Sequence, residues 1–123
     1  MSDYRLRLGH NGEEIAKKFL VKSGYVIVAR NYRCKLGEID IIARDGDFLV
    51  FIEVKTRSNS ACGSPAAAVT LRKQRQICQT AQYYLAEHKL FETPARFDVV
   101  AIVVEHDGQH LVELIADAFD LCQ

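Results

Sequence analysis

Residues 37–57 read GEIDIIARDGDFLVFIEVKTR, two apolar runs on either side of an Arg-Asp-Gly-Asp turn signal. Runs rich in Ile, Val and Phe and bounded by such a signal read as two antiparallel strands of one hairpin. Yet Glu38, Asp40, Glu53 and Lys55 lie inside those runs. Ionised groups are costly to take out of water unless they are paired, hydrogen-bonded or bound to a metal. The stretch therefore sets a sheet and marks a candidate site together. Asp45-Gly46 suits a two-residue loop, because both residues tolerate positive φ. With that loop Arg44 pairs with Asp47, Asp40 falls opposite Phe51 and Glu38 opposite Glu53. Asp40 and Glu53 then become diagonal neighbours on one face, about 7 to 8 Å apart. Alternation along the second strand adds Phe51, Lys55 and Arg57 to that face.

Upstream, GHNGEEIAKKFLVKSG places Ile15, Ala16, Phe19 and Leu20 at helical spacing. Asn11 is expected to cap that helix and Gly24 to end it. Glu13 falls on the rim of the apolar stripe, whereas Glu14 points to the opposite side. YVIVARNYR then reads as a first strand, making a three-stranded meander with the hairpin. Downstream, SNSACGS reads as a polar loop and Ser64-Pro65 as a helix start. A long helix is expected from about Thr70, with Val69, Ile77, Ala81, Tyr84 and Leu85 turned towards the sheet. RFDVVAIVVE is almost continuously apolar, as a strand buried on both faces should be. HLVELIADAF reads as an edge strand closing in a short helical segment.

The order is αβββαβ followed by a strand, an α/β fold with a mixed central sheet flanked by helices. Strand four, reached from strand three through a helix, should run parallel to it. A chain of 123 residues suits one domain spanning 1–123. No apolar stretch approaches the roughly 18 residues that a membrane span needs, and no signal segment opens the chain, so a cytoplasmic protein is expected. The four cysteines are widely spaced, without a CxxC pair, and read as free thiols. Net charge is zero but unevenly spread: residues 1–75 hold 14 of the 16 Lys and Arg against 8 of the 16 Asp and Glu. That asymmetry suits an electropositive face for an anionic partner, and equally a solvated surface.

Two readings of the acidic cluster stand side by side. In one, Asp40 pairs with Lys55, or Glu38 with Arg57, as structural ions at the sheet margin. In the other, a Mg²⁺ ion with oxygen ligands relieves the repulsion between carboxylates and leaves coordination positions for a phosphate and a water. Arg72, Lys73, Gln74 and Arg75 open the long helix, where cations oppose the helix dipole. Phosphate contact is a fair account of that placement, and a solvated helix face another. Asp98, in the apolar fourth strand, reads as an ion-pair partner rather than a ligand.

Gly37-Glu38-Ile39-Asp40 and Phe51-Ile52-Glu53-Val54-Lys55-Thr56-Arg57, within αβββαβ, resemble the PD-(D/E)xK superfamily, whose fold is the restriction-endonuclease-like core shared with archaeal Holliday-junction resolvases. Gly12-Glu13, Asn31-Tyr32, Lys73-Gln74 and Arg96-Phe97-Asp98-Val99-Val100 extend the likeness to the YraN-like bacterial proteins, over nearly the whole chain. Ile39 stands where the superfamily's name has proline. The resemblance implies Asp40 and Glu53 as metal ligands, Lys55 as catalytic lysine, and Glu13 as the helix acid completing the site directly or through water. It further implies Mg²⁺ or Mn²⁺ as cofactor, DNA as partner, branched or structured DNA included, and a homodimer after the resolvases. Arg57, Arg72, Lys73 and Gln74 are the expected nucleic-acid contacts. The activity so implied is endonucleolytic phosphodiester hydrolysis; the alternative is a non-catalytic binding module on the same fold.

Overall fold

The computed structural model describes the backbone of residues 3–58, 69–105, 107 and 109–120, and the side chains of all of these but 3–11 and 58. Its elements are α1 (Asp3–Lys22), β1 (Val26–Cys34), β2 (Gly37–Asp45), β3 (Phe48–Ser58), α2 (Leu71–Glu87), β4 (Ala95–Val104) and β5 (His110–Phe119). The five strands lie in sequence order in one sheet. β3 and β4 are parallel and the other neighbours antiparallel. This is the mixed α/β sheet and αβββαβ order of a restriction-endonuclease-like core, with β5 added at the edge.

The helices cover opposite faces. Ala16 and Leu20 of α1 pack with Ile41, Ala43, Val50, Ile52, Val100 and Ile102. Ile77, Ala81, Tyr84 and Leu85 of α2 pack with Ile42, Leu49, Phe51, Phe97 and Val99. β2, β3 and β4 alternate between the two clusters, which is why their sequences read as unbroken apolar runs. Tyr84 meets Tyr32 and Phe51 edge-on, with ring centroids 5.1 and 5.9 Å apart, and so belongs to the core.

Four local expectations change. α1 begins at Asp3, so Asn11 is an interior helical residue and not its cap. The hairpin pairs Asp45 with Phe48, leaving Gly46 and Asp47 as its loop. Gly46 has φ of 61°, and glycine in the first loop position is the type II′ pattern. The expected C-terminal helical segment is absent from the described residues, because β5 continues to Phe119. An irregularity in the β4–β5 pairing absorbs Asp117, whose φ is 52°, and Phe119 stacks on Phe97 with centroids 4.9 Å apart. Cys34 is a free thiol as expected, whereas Cys78 is disulfide-bonded. Wide spacing in sequence does not keep cysteines apart once the chain folds. Cys62, Cys122, His106, the loop 59–68 and its Ser64-Pro65 helix start lie outside the described residues.

Candidate functional site

The hairpin correction moves the register by two residues. An even shift leaves every side chain on its expected face and changes only which residues are level. Arg44 pairs with Leu49, Ile42 with Phe51 and Ile41 with Ile52. One step further, Asp40 is level with Glu53 rather than diagonal to it.

Regular pairing to β3 ends just before Asp40. On the other side, the β1 register passes from Arg30↔Ile41 to Tyr32↔Ile39 across Asn31, whose φ is 53°. Ile39 and Ile42 both join the α2-side cluster while Ile41 joins the other, so alternation breaks at this point in β2. Asp40 occupies the break. Its Oδ2 accepts the Val54 N–H at 2.8 Å, supplying the bond that a continued ladder would have drawn from β2 backbone.

Glu53, 5% exposed, faces that carboxylate from β3. Burial first, then the charge of Asp40 and a hydrogen bond shared with it, pushes the Glu53 carboxyl up to about 7. Two ammonium groups oppose this without reversing it: Lys73 Nζ at 3.9 Å and Lys55 Nζ at 3.7 Å from Glu53 Oε2. Both lysines are about one-third exposed (Lys55 36%, Lys73 34%) and Asp40 is half-buried, so only Glu53 is shut away from solvent and the cations stand on the open side.

Lys55 reaches the site by strand alternation, two residues beyond Glu53. Lys73 reaches it because α2 is pinned at its start. The Thr70 hydroxyl caps the helix by accepting the Lys73 N–H at 3.1 Å, and the Gln74 side-chain amide donates to the Val69 carbonyl at 3.0 Å. One turn on, α2 crosses β2 at Gly37. A Cβ there would sit 2.8 Å from Thr80 Oγ1 and 2.9 Å from Gln76 Cγ, and the φ of 156° also suits glycine. The glycine of GEID thus lets the lysine-bearing helix close on the acid-bearing hairpin.

Asp40, Glu53, Lys55 and Lys73 are brought together. Glu38 is not: it pairs with Arg33 across β1 and β2, instead of with Arg57 or the other acids. Glu13 stands on α1, which packs against the far face of the sheet. There Gly12 abuts Thr56 so tightly that a Cβ would clash with its Oγ1. Glu13 buries one carboxylate oxygen, but among the described residues no three His, Cys, Asp or Glu side chains group closely enough to hold a metal ion. Arg57 is half-buried on β3, Arg72 is exposed on α2, and Gln74 is engaged with its own helix start. The ion pair of Lys73 with Glu53 had no signal in the spacing, since a loop separates the two elements.

A buried glutamate facing a half-buried aspartate, level on two strands of a mixed α/β sheet and flanked by two lysines, defines the class of site. The chain belongs to UPF0102, described as an uncharacterised protein family, whose model matches residues 12–102. It is 55% identical over 114 residues to a UPF0102 protein of Geotalea uraniireducens (strain Rf4), covering 93% of this chain and 90% of that one. A Clostridium tetani (strain Massachusetts / E88) relative is 42% identical over 122 residues, covering 98% and 100%. Among solved structures, SfsA of Pyrococcus furiosus in complex with Ca²⁺ aligns with a TM-score of 0.42 at 14% identity, over 91% of this chain and 63% of that one. No helix among the described residues is long and apolar enough to cross a membrane.

Proposed function

We propose that the chain is a Mg²⁺- or Mn²⁺-dependent endonuclease that hydrolyses phosphodiester bonds in DNA, branched or structured DNA included. One observation carries the reading: a buried glutamate held against the half-buried carboxylate of Asp40, with two ammonium groups on the open side. The donor chemistry fits a hard divalent cation. Carboxylate oxygens from Asp40 and Glu53 are the ligand type that Mg²⁺ and Mn²⁺ take, and a cation between them would relieve the repulsion between the two acids. When bound, such an ion polarises a phosphoryl oxygen and lowers the pKa of a ligated water.

The chain's own groups do the rest. Asp40 is held in place by the Val54 N–H and Glu53 by burial, so both carboxylates are pre-aimed rather than recruited. Lys55 orients the attacking water and, with Lys73, stabilises the negative charge that grows on the phosphoryl oxygens. By the resemblance Glu13 would contribute only through water, since α1 lies over the opposite face of the sheet. Arg57, Arg72, Lys73 and Gln74 lie on the substrate side. The PD-(D/E)xK and resolvase resemblance supports the same reading and adds a cytoplasmic homodimer to it. The alternative, a binding module on a nuclease fold, draws on the ion pairs that Glu53 already makes with Lys55 and Lys73.

The test incubates labelled four-way junctions, flaps, single strands and linear duplexes with Mg²⁺ or Mn²⁺. Cleavage is expected from the parent and a loss of at least about 100-fold from Lys55→Ala, the usual scale for removing one electrostatic catalytic group. Calorimetric titration of either ion should give an isotherm that Asp40→Asn and Glu53→Gln abolish. Cleavage that persists in Lys55→Ala sinks the assignment, and a parent without an isotherm favours the binding module.

A further inference from the structure

The outward face of α2 carries a stripe that the acid pair does not use. Arg72, Arg75, Gln76 and Gln79 recur at helical spacing, and no acidic residue lies in the first turn. Across from them stands Leu36, at the tip of the β1–β2 hairpin and 38% exposed. Together with Lys73 these residues line an open groove of about 600 Å³. Among the described residues, three cations and no acid line it, and two glutamines add side-chain donors and acceptors. Helix stability does not account for the cations, because positive charge near a helix start opposes its dipole. An anionic occupant does.

Lys73 connects this groove to the site, since its ammonium group also lies 3.9 Å from Glu53. A ligand with a phosphate at the acid pair would therefore continue along α2. Arg72 and Arg75 stand one helical turn apart on one face, spaced so that two long side chains reach successive anionic groups of one strand. Leu36 offers the opposite wall an apolar surface, suited to the sugar edges between phosphates. Among the described residues, no aromatic side chain lines the groove. Single-strand binding draws about 1–3 kcal/mol per base from aromatic stacking, so this surface is built for backbone charge rather than for splayed bases.

We propose that this groove seats the sugar–phosphate backbone of duplex DNA flanking the cut, with Arg72 and Arg75 on non-scissile phosphates and no reading of base sequence. The assignment deepens the nuclease reading and rests on it for the identity of the polyanion. Fluorescence anisotropy with a short labelled duplex in EDTA, over a series of KCl concentrations, separates the two, because binding is measured without hydrolysis. Arg72→Ala and Arg75→Ala should each weaken binding about five- to tenfold and lower the slope of log affinity against log salt by about one. Both side chains are exposed, so neither change threatens folding. Arg44→Ala removes an exposed cation beyond the far end of the helix, near Tyr84, and should leave affinity and slope within about twofold. The proposal fails if the groove variants match the parent, if Arg44→Ala loses as much, or if a single strand of the same sequence binds more tightly than the duplex. Weakened groove variants in a protein that cuts nothing would sink the nuclease reading and leave the groove standing.

Discussion

Asp98 and Glu53 are both acids of the central strands, 0% and 5% exposed, and they lie in opposite circumstances. Asp98 receives the Tyr25 hydroxyl at 2.8 Å, the Arg96 guanidinium at 3.0 Å and the Asp117 N–H at 2.9 Å. Arg96 also reaches the Tyr25 hydroxyl and Asp45, each at 2.7 Å. Each acid there meets donors, and burial together with the Asp98 hydrogen bond pushes the Tyr25 hydroxyl up to about 12. Glu53 instead meets another acid, and its two cations stand at 3.7 and 3.9 Å, beyond hydrogen-bonding distance. A satisfied buried charge reads as structure; a frustrated one asks for something the chain does not itself supply.

The sharpest way to break the comparison is to remove Asp98. Asp98→Ala leaves Arg96 and Tyr25 facing a gap, and loss of about 3–5 kcal/mol is expected by urea denaturation, the range for breaking a buried ion pair. A change below about 1 kcal/mol would show the network to be ornamental. Glu53 should behave with the opposite sign in metal-free buffer. Its folded pKa of about 7 exceeds the ordinary 4.5, so the folded state holds the proton more tightly. That contribution is complete below the unfolded value and disappears as pH rises through the folded one. Stability of the parent should therefore fall by on the order of 3 kcal/mol as pH rises between those two values, and Glu53→Gln should flatten the slope. Equal slopes in parent and variant would remove the frustration on which the site rests. Smallest is Tyr25→Phe, which deletes one donor to Asp98 and leaves the guanidinium in place. About 1 kcal/mol is expected in thermal melts, with no effect on divalent-ion binding at the acid pair, which faces the other side of the sheet.

Much of the molecule was readable from its pattern. The apolar runs of β2, β3 and β4 and the spacing of α2 gave the elements and their faces, because burial on both sides leaves a sequence few alternatives. Asp98 was legible as an ion-pair partner and Tyr84 as core for the same reason. Where reading went astray, competing chemistry was equally good locally. Asp45-Gly46 and Gly46-Asp47 both make acceptable loops locally, and the folded chain adopts the second, with Asp45 paired to Phe48. Ala116–Ala118 has helical character, yet β4 offers hydrogen bonds and Asp98 an acceptor that a helix there would forgo. Glu38 shared the period of Asp40, but the arginine across the hairpin took it.

What the residue order determined was that acids, a lysine and the strands carrying them would share one side of a sheet, since side-chain direction follows from a period of two. Folding in three dimensions selected which of those acids touch. The break in the ladder at Asp40, the closure of α2 over Gly37 and the arrival of Lys73 beside Glu53 all depend on contacts between segments far apart in the chain, and no local preference encodes such distances.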